Sequence, residues 1–361
     1  MNKNTPRFLS KLQLLILSGA LATNSHALLP TPDAPPVKDG QVRIGAWNIE
    51  NLGLRGARGG ETAAPEKQQK AEDLAAYILA SHVDLLSLEE IHDDDQTTDK
   101  APGTAPWKSK ILDEILVILG KATNDKWQYE LTGPGPDNVR CQMTGVLWRT
   151  SRLTLKERAP LPVKGGNHPH PSIEASSDED NKLTYWTRRP EAFLFSAGEG
   201  KTDLAVIPLH MKSNSDEKSV GIDMRKVEAQ QLIDALPSLK GPFEKEKDWV
   251  LLGDTNITLG EKSVQEIWKD FTDLNAKEAL TWMNPYFSEK QPPGSRNLPP
   301  APFDRIFIPT GQPEFKQSEE HVHAPLNASK LPDHEWVSEH KRFRSDHLLV
   351  WCDLTVEKDD D

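Results

Sequence analysis

Asp346 and His347 stand directly before an apolar run, Leu348-Leu349-Val350-Trp351, in the stretch RFRSDHLLVW. Ionisable groups at the mouth of a buried strand cost free energy unless they are paired, solvated or bound to a cation. The same juxtaposition recurs along the chain. Asn48 follows IGAW, Glu89 and Glu90 follow LLSL, and His210 follows AVIPL. Asp254 and Asn256 come just after VLLG, and Asp304 opens the run DRIFIP. Singly, each has an ordinary explanation. Asn48 can end a strand, and Glu89-Glu90 can belong to the solvated acidic patch that includes Asp93 to Asp95. His210 can be a hydrogen-bonded edge histidine, and GDTN is a common turn sequence. If these strand ends converge on one rim, however, they form a cup of carboxylates, amides and imidazoles. Such a donor set suits a hard divalent cation, Mg²⁺ first and Ca²⁺ or Mn²⁺ next.

The elements that would carry these groups are legible in the hydrophobic pattern. Strands are predicted over 41–49, 83–91, 144–150, 191–197, 203–213, 248–256 and 303–309, and in the closing SDHLLVWCDLTV. Helices are predicted over 66–80, over 107–120 with Gly120 as its end, and over 221–239. The segments 92–106, 161–182 and 284–302 are rich in Pro, Gly, Asp and Ser and read as loops. Strands and helices alternate without a strict βαβ rhythm, and several strand links are too short for a helical crossover. That pattern points to mixed or largely antiparallel sheets with helices outside, an α/β sandwich.

Composition bounds the rest. With 361 residues, 36% of them hydrophobic, the chain can bury a large core. Its 55 acidic residues outnumber 43 basic ones, for a net charge of −12, which excludes nucleic-acid binding through a bulk positive field. It leaves open an enzyme that meets phosphate through a cation and a few arginines. Residues 1–27 have a basic start (Lys3, Arg7, Lys11), a short apolar stretch from Leu12 to Ala22, and small residues at Ser25 and Ala27, the pattern of an export signal. A proline-rich linker is predicted over 28–40, one catalytic domain over 41–356, and an acidic tail over 357–361. The two cysteines, Cys141 and Cys352, are either bridged or buried as free thiols. No later stretch is long and apolar enough to span a bilayer, and no segment reads as a dimerisation element, so a monomer is the default.

In order, the motifs WNIENL, LLSLEEI, GVLWR, TRRPEAF, LHMKS, LLGDTNI, FDRIFI and SDHLLV resemble those of the endonuclease/exonuclease/phosphatase superfamily. Its members include pancreatic deoxyribonuclease, abasic-site endonucleases, neutral sphingomyelinases and inositol-phosphate 5-phosphatases. The resemblance spans residues 41–355. It implies a four-layer α/β sandwich of two packed mixed β-sheets and cation-dependent phosphoester hydrolysis at the rim. By position, it makes Glu90 the principal metal ligand, with Glu89 in the place of the family's glutamine and Asn48 and Asp346 at the same metal site. Asp254 and Asn256 would orient the attacking water and contact the scissile phosphate. His210 and His347 would flank that phosphate, with Asp304 bonded to His347 and Arg188 contacting the phosphate.

The chemistry calls for these groups. Negative charge grows on phosphorus in the transition state, and a cation with imidazolium donors neutralises it. A histidine oriented by a buried carboxylate has a fixed tautomer and raised basicity, which suits a base. Two departures stand out. Glu50 lies where pancreatic-type nucleases carry an arginine, and Arg55 and Arg58 are either replacement phosphate contacts or solvated charges. No carboxylate partner for His210, the expected general acid, can be picked out of residues 92–187. A DNA endonuclease is the favoured substrate reading. A sphingomyelinase would need an exposed apolar hairpin, for which WMNPYF (282–287) is the one short candidate. A phosphomonoesterase and a catalytically idle binding module are the remaining alternatives.

Overall fold

The protein, described here as a computed structural model, is defined over residues 28–53, 69–92, 107–133, 142–164, 166–169, 182–214, 218–275, 277–283, 300–316, 318–326 and 332–359. The first part of the chain runs β1 (Gln41–Leu52), α1 (Ala71–Ser81), β2 (Leu85–Ile91), α2 (Lys110–Thr123), β3 (Trp127–Leu131), β4 (Met143–Arg149) and β5 (Thr154–Pro160). A hairpin of β6 (Gly166–Pro169) and β7 (Lys182–Tyr185) follows, then β8 (Glu191–Ser196), β9 (Asp203–His210) and α3 (Lys218–Ala235). The chain closes with β10 (Trp249–Asp254), α4 (Ser263–Ile267), β11 (Phe271–Asp273), β12 (Asp304–Pro309), β13 (His321–Val322), α5 (His334–Phe343) and β14 (Val350–Thr355).

Two six-stranded mixed sheets result, ordered β13-β14-β1-β2-β4-β3 and β11-β12-β10-β9-β8-β5. Each contains one parallel pair, β1 with β2 and β9 with β10, joined by a crossover through α1 or α3. Side chains alternate faces along a strand, and here the alternation separates two kinds of core. Val42, Ile44 and Ala46 of β1 meet Val206, Val250, Leu252 and Ile306 between the sheets. Trp47 and Ile49, on the other face of β1, pack with Leu74 and Ile78 of α1 and Leu112 and Ile115 of α2. On the second sheet Ala205, Ile207 and Leu251 pack against Met224, Ala229 and Leu232 of α3 and Val264 of α4. Helices, sheet, sheet and helices therefore form four layers, the expected sandwich.

Some elements differ from their predicted extents. The second helix continues through Gly120 and ends where Asn124 takes the left-handed conformation (φ 53°) and donates its N–H to the Gly120 carbonyl. Part of the predicted loop 161–182 is the β6–β7 hairpin. The α5 helix was not foreseen. Its Asp333 cap accepts from Glu335 N, and Trp336, Val337, His340 and Phe343 are its buried face. Cys352 is a buried free thiol, while Cys141 lies outside the described residues.

Candidate active site

The inward-facing registers of both sheets end in polar residues at the same rim. On β1 the series Val42, Ile44, Ala46 continues to Asn48, and on β10 Val250, Leu252 continues to Asp254. On β9, Leu204 and Val206 lead to His210; on β12, Asp304 precedes Ile306 and Ile308. Strand pairing sets Asp254 beside both His210 and Asp304, and Asn48 beside Glu89. Hydrophobic alternation thus delivers the polar groups into the gap between the sheets.

Across that gap the side chains connect. Asn48 donates Nδ2 to Asp254 Oδ2 at 2.9 Å and to Glu90 Oε1 at 3.3 Å, while its Oδ1 accepts from Glu50 N at 2.9 Å. As placed, Asn48 turns its amide nitrogen to the two carboxylates. Glu90 sits at an irregularity in β2 with φ 60°, which aims its carboxylate at the rim; Oε2 accepts from Asn51 N at 3.1 Å. His210 Nε2 lies 3.5 Å from Asp254 Oδ2 and 3.8 Å from Glu90 Oε1, so among the described residues its carboxylate neighbours come from two strand ends. His347 Nδ1 meets Asp304 Oδ2 at 2.7 Å, and its Nε2 stands 3.9 Å from both Asp254 and Asp346. Asn256 (φ 53°) donates its backbone N–H to Asp254 Oδ1 at 3.0 Å and its amide to Met211 O.

These contacts polarise the site. Burial, with the Asp304 and Glu90 charges, pushes Asp254 up to about 6 against the pull of His347 and the Asn48 amide. Burial alone would lower His347, but Asp304, Asp254 and Asp346 reverse it and hold the imidazole well above its usual range. Burial, aided by the charges of Arg188 and His347, holds His210 well below its usual range. Glu89 is fully buried, and burial pushes its carboxyl well up despite a 2.5 Å hydrogen bond from Ser87. In its protonated form Glu89 has nearly the shape and polarity of the glutamine that the resemblance implies there.

Ser345, Thr281 and Gln142 had no sequence signal. Ser345 Oγ donates to Asn48 O at 2.6 Å and accepts from His347 N, which fixes the turn before His347. Thr281 Oγ1 accepts from Asp304 N, and Glu50 accepts from Asp346 N. Trp282 donates Nε1 to Asp346 Oδ2 at 3.3 Å and stacks on Phe303, whose ring centroid is 6.4 Å from that of His347. Arg188 donates to Gln142, whose amide reaches Asn51. A backbone-bonding Ser, Thr or amide has no fixed spacing to betray it. Arg55 and Arg58 lie outside the described residues.

Among the described residues no three His, Cys, Asp or Glu side chains close into a metal cage. Among the described residues the rim instead offers carboxylate oxygens in excess of cations. Glu89 Oε2 and Asp304 Oδ1 are buried with no hydrogen-bond partner among the described residues. An oxygen-rich, net-negative rim of this kind fits a hard divalent cation.

No protein-family model matches the sequence, and no curated protein matches it. Solved structures do. An endonuclease/exonuclease/phosphatase from Bacteroides vulgatus superposes with a TM-score of 0.50 at 12% identity, over 88% of this chain and 99% of that one. The chain has the endonuclease/exonuclease/phosphatase fold. The catalytic domain of human Nocturnin, solved with a bound sulfate anion, gives a TM-score of 0.49 at 14% identity, covering 89% of this chain and 96% of that one. A mannosyl-6-phosphatase from Bacteroides thetaiotaomicron gives 0.48 at 15%, covering 87% and 99%.

Proposed function

We propose that this chain is an exported, cation-dependent phosphoester hydrolase, and that its substrate is DNA cut internally. The observation that carries the reading is the meeting of Asn48, Glu90, His210, Asp254, Asp304 and His347 from two sheets within hydrogen-bonding or ion-pairing reach of one another. The fold supports it by analogy alone.

Glu90 and Asp346 would hold the cation, Mg²⁺ first, with Asn48 beside them. Bound there, it would supply positive charge to the phosphoryl oxygens as the transition state forms. The chain's own residues do the rest. Asp254, flanked by both imidazoles, takes a proton from the attacking water, and Asn256 N–H fixes one of its oxygens. The water oxygen bonds to phosphorus as the P–O ester bond breaks; the departing oxygen takes a proton from solvent, and Asp254 returns to solvent the proton it took. His347, held at Nδ1 by Asp304, presents an Nε2–H to a phosphoryl oxygen. His210 and Arg188 face the phosphate from the other side. The stacked, half-buried Trp282 and Phe303 set a flat apolar face beside His347. That face suits a phosphodiester bearing planar rings, and favours a nucleic acid strand over a lipid.

The test is nicking of supercoiled plasmid by the protein with Mg²⁺ or Ca²⁺, against EDTA and against His347→Ala. Relaxed circles that disappear with EDTA and with the variant are expected. Intact plasmid with folded, metal-replete protein would sink the nuclease reading, and sphingomyelin and small phosphomonoesters would then be tried with the same variant.

A further inference from the structure

Arg188 does not stand alone at the rim. Its Nε and Nη2 both donate to Gln142 Oε1, at 3.1 and 2.6 Å. The other end of the same amide donates Nε2 to Asn51 Oδ1 at 2.9 Å, and Asn51 donates its backbone N–H to Glu90 Oε2 at 3.1 Å. Glu90 Oε1 in turn faces His210 Nε2 at 3.8 Å, and Arg188 is near enough for its charge to depress the His210 imidazole. Cation, two amides, carboxylate and imidazole make one continuous chain across the rim. Its members come from five places in the chain: the segment before β8, the residue before β4, and the ends of β1, β2 and β9.

The chemistry of these contacts selects an amide at position 142. A side-chain amide can accept from a guanidinium at one end while donating to a carbonyl oxygen at the other. A glutamate there would neutralise Arg188 and could not donate to Asn51. A leucine would leave the Arg188 fork and the Asn51 oxygen without this partner, in a place where Gln142 is only 4% exposed. Asn51 contributes through its backbone: at φ 57° it turns its N–H onto Glu90.

We propose that Gln142 is a positioning residue that holds Arg188 for the substrate phosphate and ties it to the Glu90 carboxylate through Asn51. The proposal rests on the reading of this rim as a phosphoester site. It makes anion binding, more than turnover, the property that Gln142 controls.

The experiment uses the full chain with Gln142→Leu, Gln142→Glu, Arg188→Ala and the double variant Gln142→Leu/Arg188→Ala. Thermal unfolding reports folding, calorimetry with inorganic phosphate reports anion binding, and bis(p-nitrophenyl) phosphate gives kcat and KM. Gln142→Leu is expected to weaken phosphate binding and raise KM about tenfold, with kcat within about threefold of wild type. Gln142→Glu, which keeps the side chain's size, should weaken phosphate binding further. Gln142→Leu should add nothing in the Arg188→Ala background. Losses that simply add, a fall in kcat at constant KM, or wild-type phosphate binding by a folded variant would each overturn the proposal. So would a wild-type protein that binds no phosphate. The two readings fail separately. Protein that binds phosphate through Gln142 yet cleaves no ester sinks only the hydrolase reading. Active protein indifferent to Gln142→Leu sinks only the positioning role.

Discussion

Gly253→Ala should be among the most damaging single-methyl changes in this chain. Gly253 pairs with Leu209 of β9 and has φ 141°, a conformation open to glycine and costly for other residues. A Cβ there overlaps the Leu209 carbonyl oxygen, comes within 2.9 Å of Leu209 N, and lies 2.8 Å from Glu89 Oε1 on the opposite sheet. The backbone strain costs about 1–3 kcal/mol. Forcing β9 and β10 apart adds a further penalty of about 1–3 kcal/mol, as overpacking does elsewhere. A total of about 2–6 kcal/mol is a large share of the roughly 5–15 kcal/mol that holds a domain folded. Gly260 supplies the control, because its φ is 73° but a Cβ would meet nothing within 4 Å. Urea unfolding followed by tryptophan fluorescence should show Gly253→Ala losing about 1–3 kcal/mol more than Gly260→Ala. Any Gly253→Ala that still folds should lose activity as well, since His210 and Asp254 are the next residues on the two strands. Equal losses for the two variants would refute the close approach on which the argument depends.

Four other outcomes are expected. Asp304→Asn keeps the shape of the carboxylate but not its charge, and should lower kcat on a phosphodiester about 100-fold or more; a change under about threefold in folded protein would mean that the Asp304–His347 pair is not used. Glu89→Gln should be tolerated at pH 5 and stabilising at pH 8. The folded-state carboxyl of Glu89 is raised by burial, so wild-type stability falls as pH rises above the unfolded-state value, and denaturation of the glutamine variant should lack that slope. His323 runs the other way: burial holds it down to about 4, so the unfolded chain binds its proton first and stability drops as pH falls from about 6.5 towards 4, by about 3 kcal/mol. His323→Phe should remove that part of the pH dependence, as difference denaturation curves at pH 7.5 and 4.5 would read. Arg43, buried, is bonded bidentately to Asp353, donates to the Pro35 and Ser81 carbonyls and stacks on Trp351. Arg43→Leu should therefore cost about 3–5 kcal/mol in urea unfolding, chiefly by stranding the partner groups.

The sandwich and the ends of its strands were readable because both depend on alternation. A run such as VLLGD carries its apolar residues inward at every second place, and the polar residue that continues the register must appear at the rim. Asp254, His210 and Asn48 were visible for this reason. Residues that act through the backbone or through other polar side chains had no such signature. Ser345 caps the turn before His347, Thr281 receives Asp304 N, and Gln142 bridges Arg188 to Asn51, each at a spacing set only by the finished fold. The α5 helix was missed because its mean hydropathy is low and its buried face holds a single aliphatic residue, Val337, beside Trp336, His340 and Phe343. The neighbours of His210 on its Nε2 side were hidden for a related reason. Its carboxylate neighbours are Glu90 and Asp254, which sequence alone assigns to other roles.

The site's defining bonds run between the sheets. Asn48 of the first sheet bonds to Asp254 of the second, and His347, leading into the first sheet, bonds to Asp304 of the second. Neither sheet holds a complete set. The first supplies Asn48, Glu90, Asp346 and His347, and the second supplies His210, Asp254 and Asp304. The interior between them is apolar until its last layer, so a slip of one residue in any of these strands would turn its polar terminus outward and an apolar side chain to the rim. Packing of the inter-sheet core and assembly of the rim are therefore the same event. This explains why so many ionisable groups can be buried at one edge: each finds its partner only when the apolar layers behind it are in register.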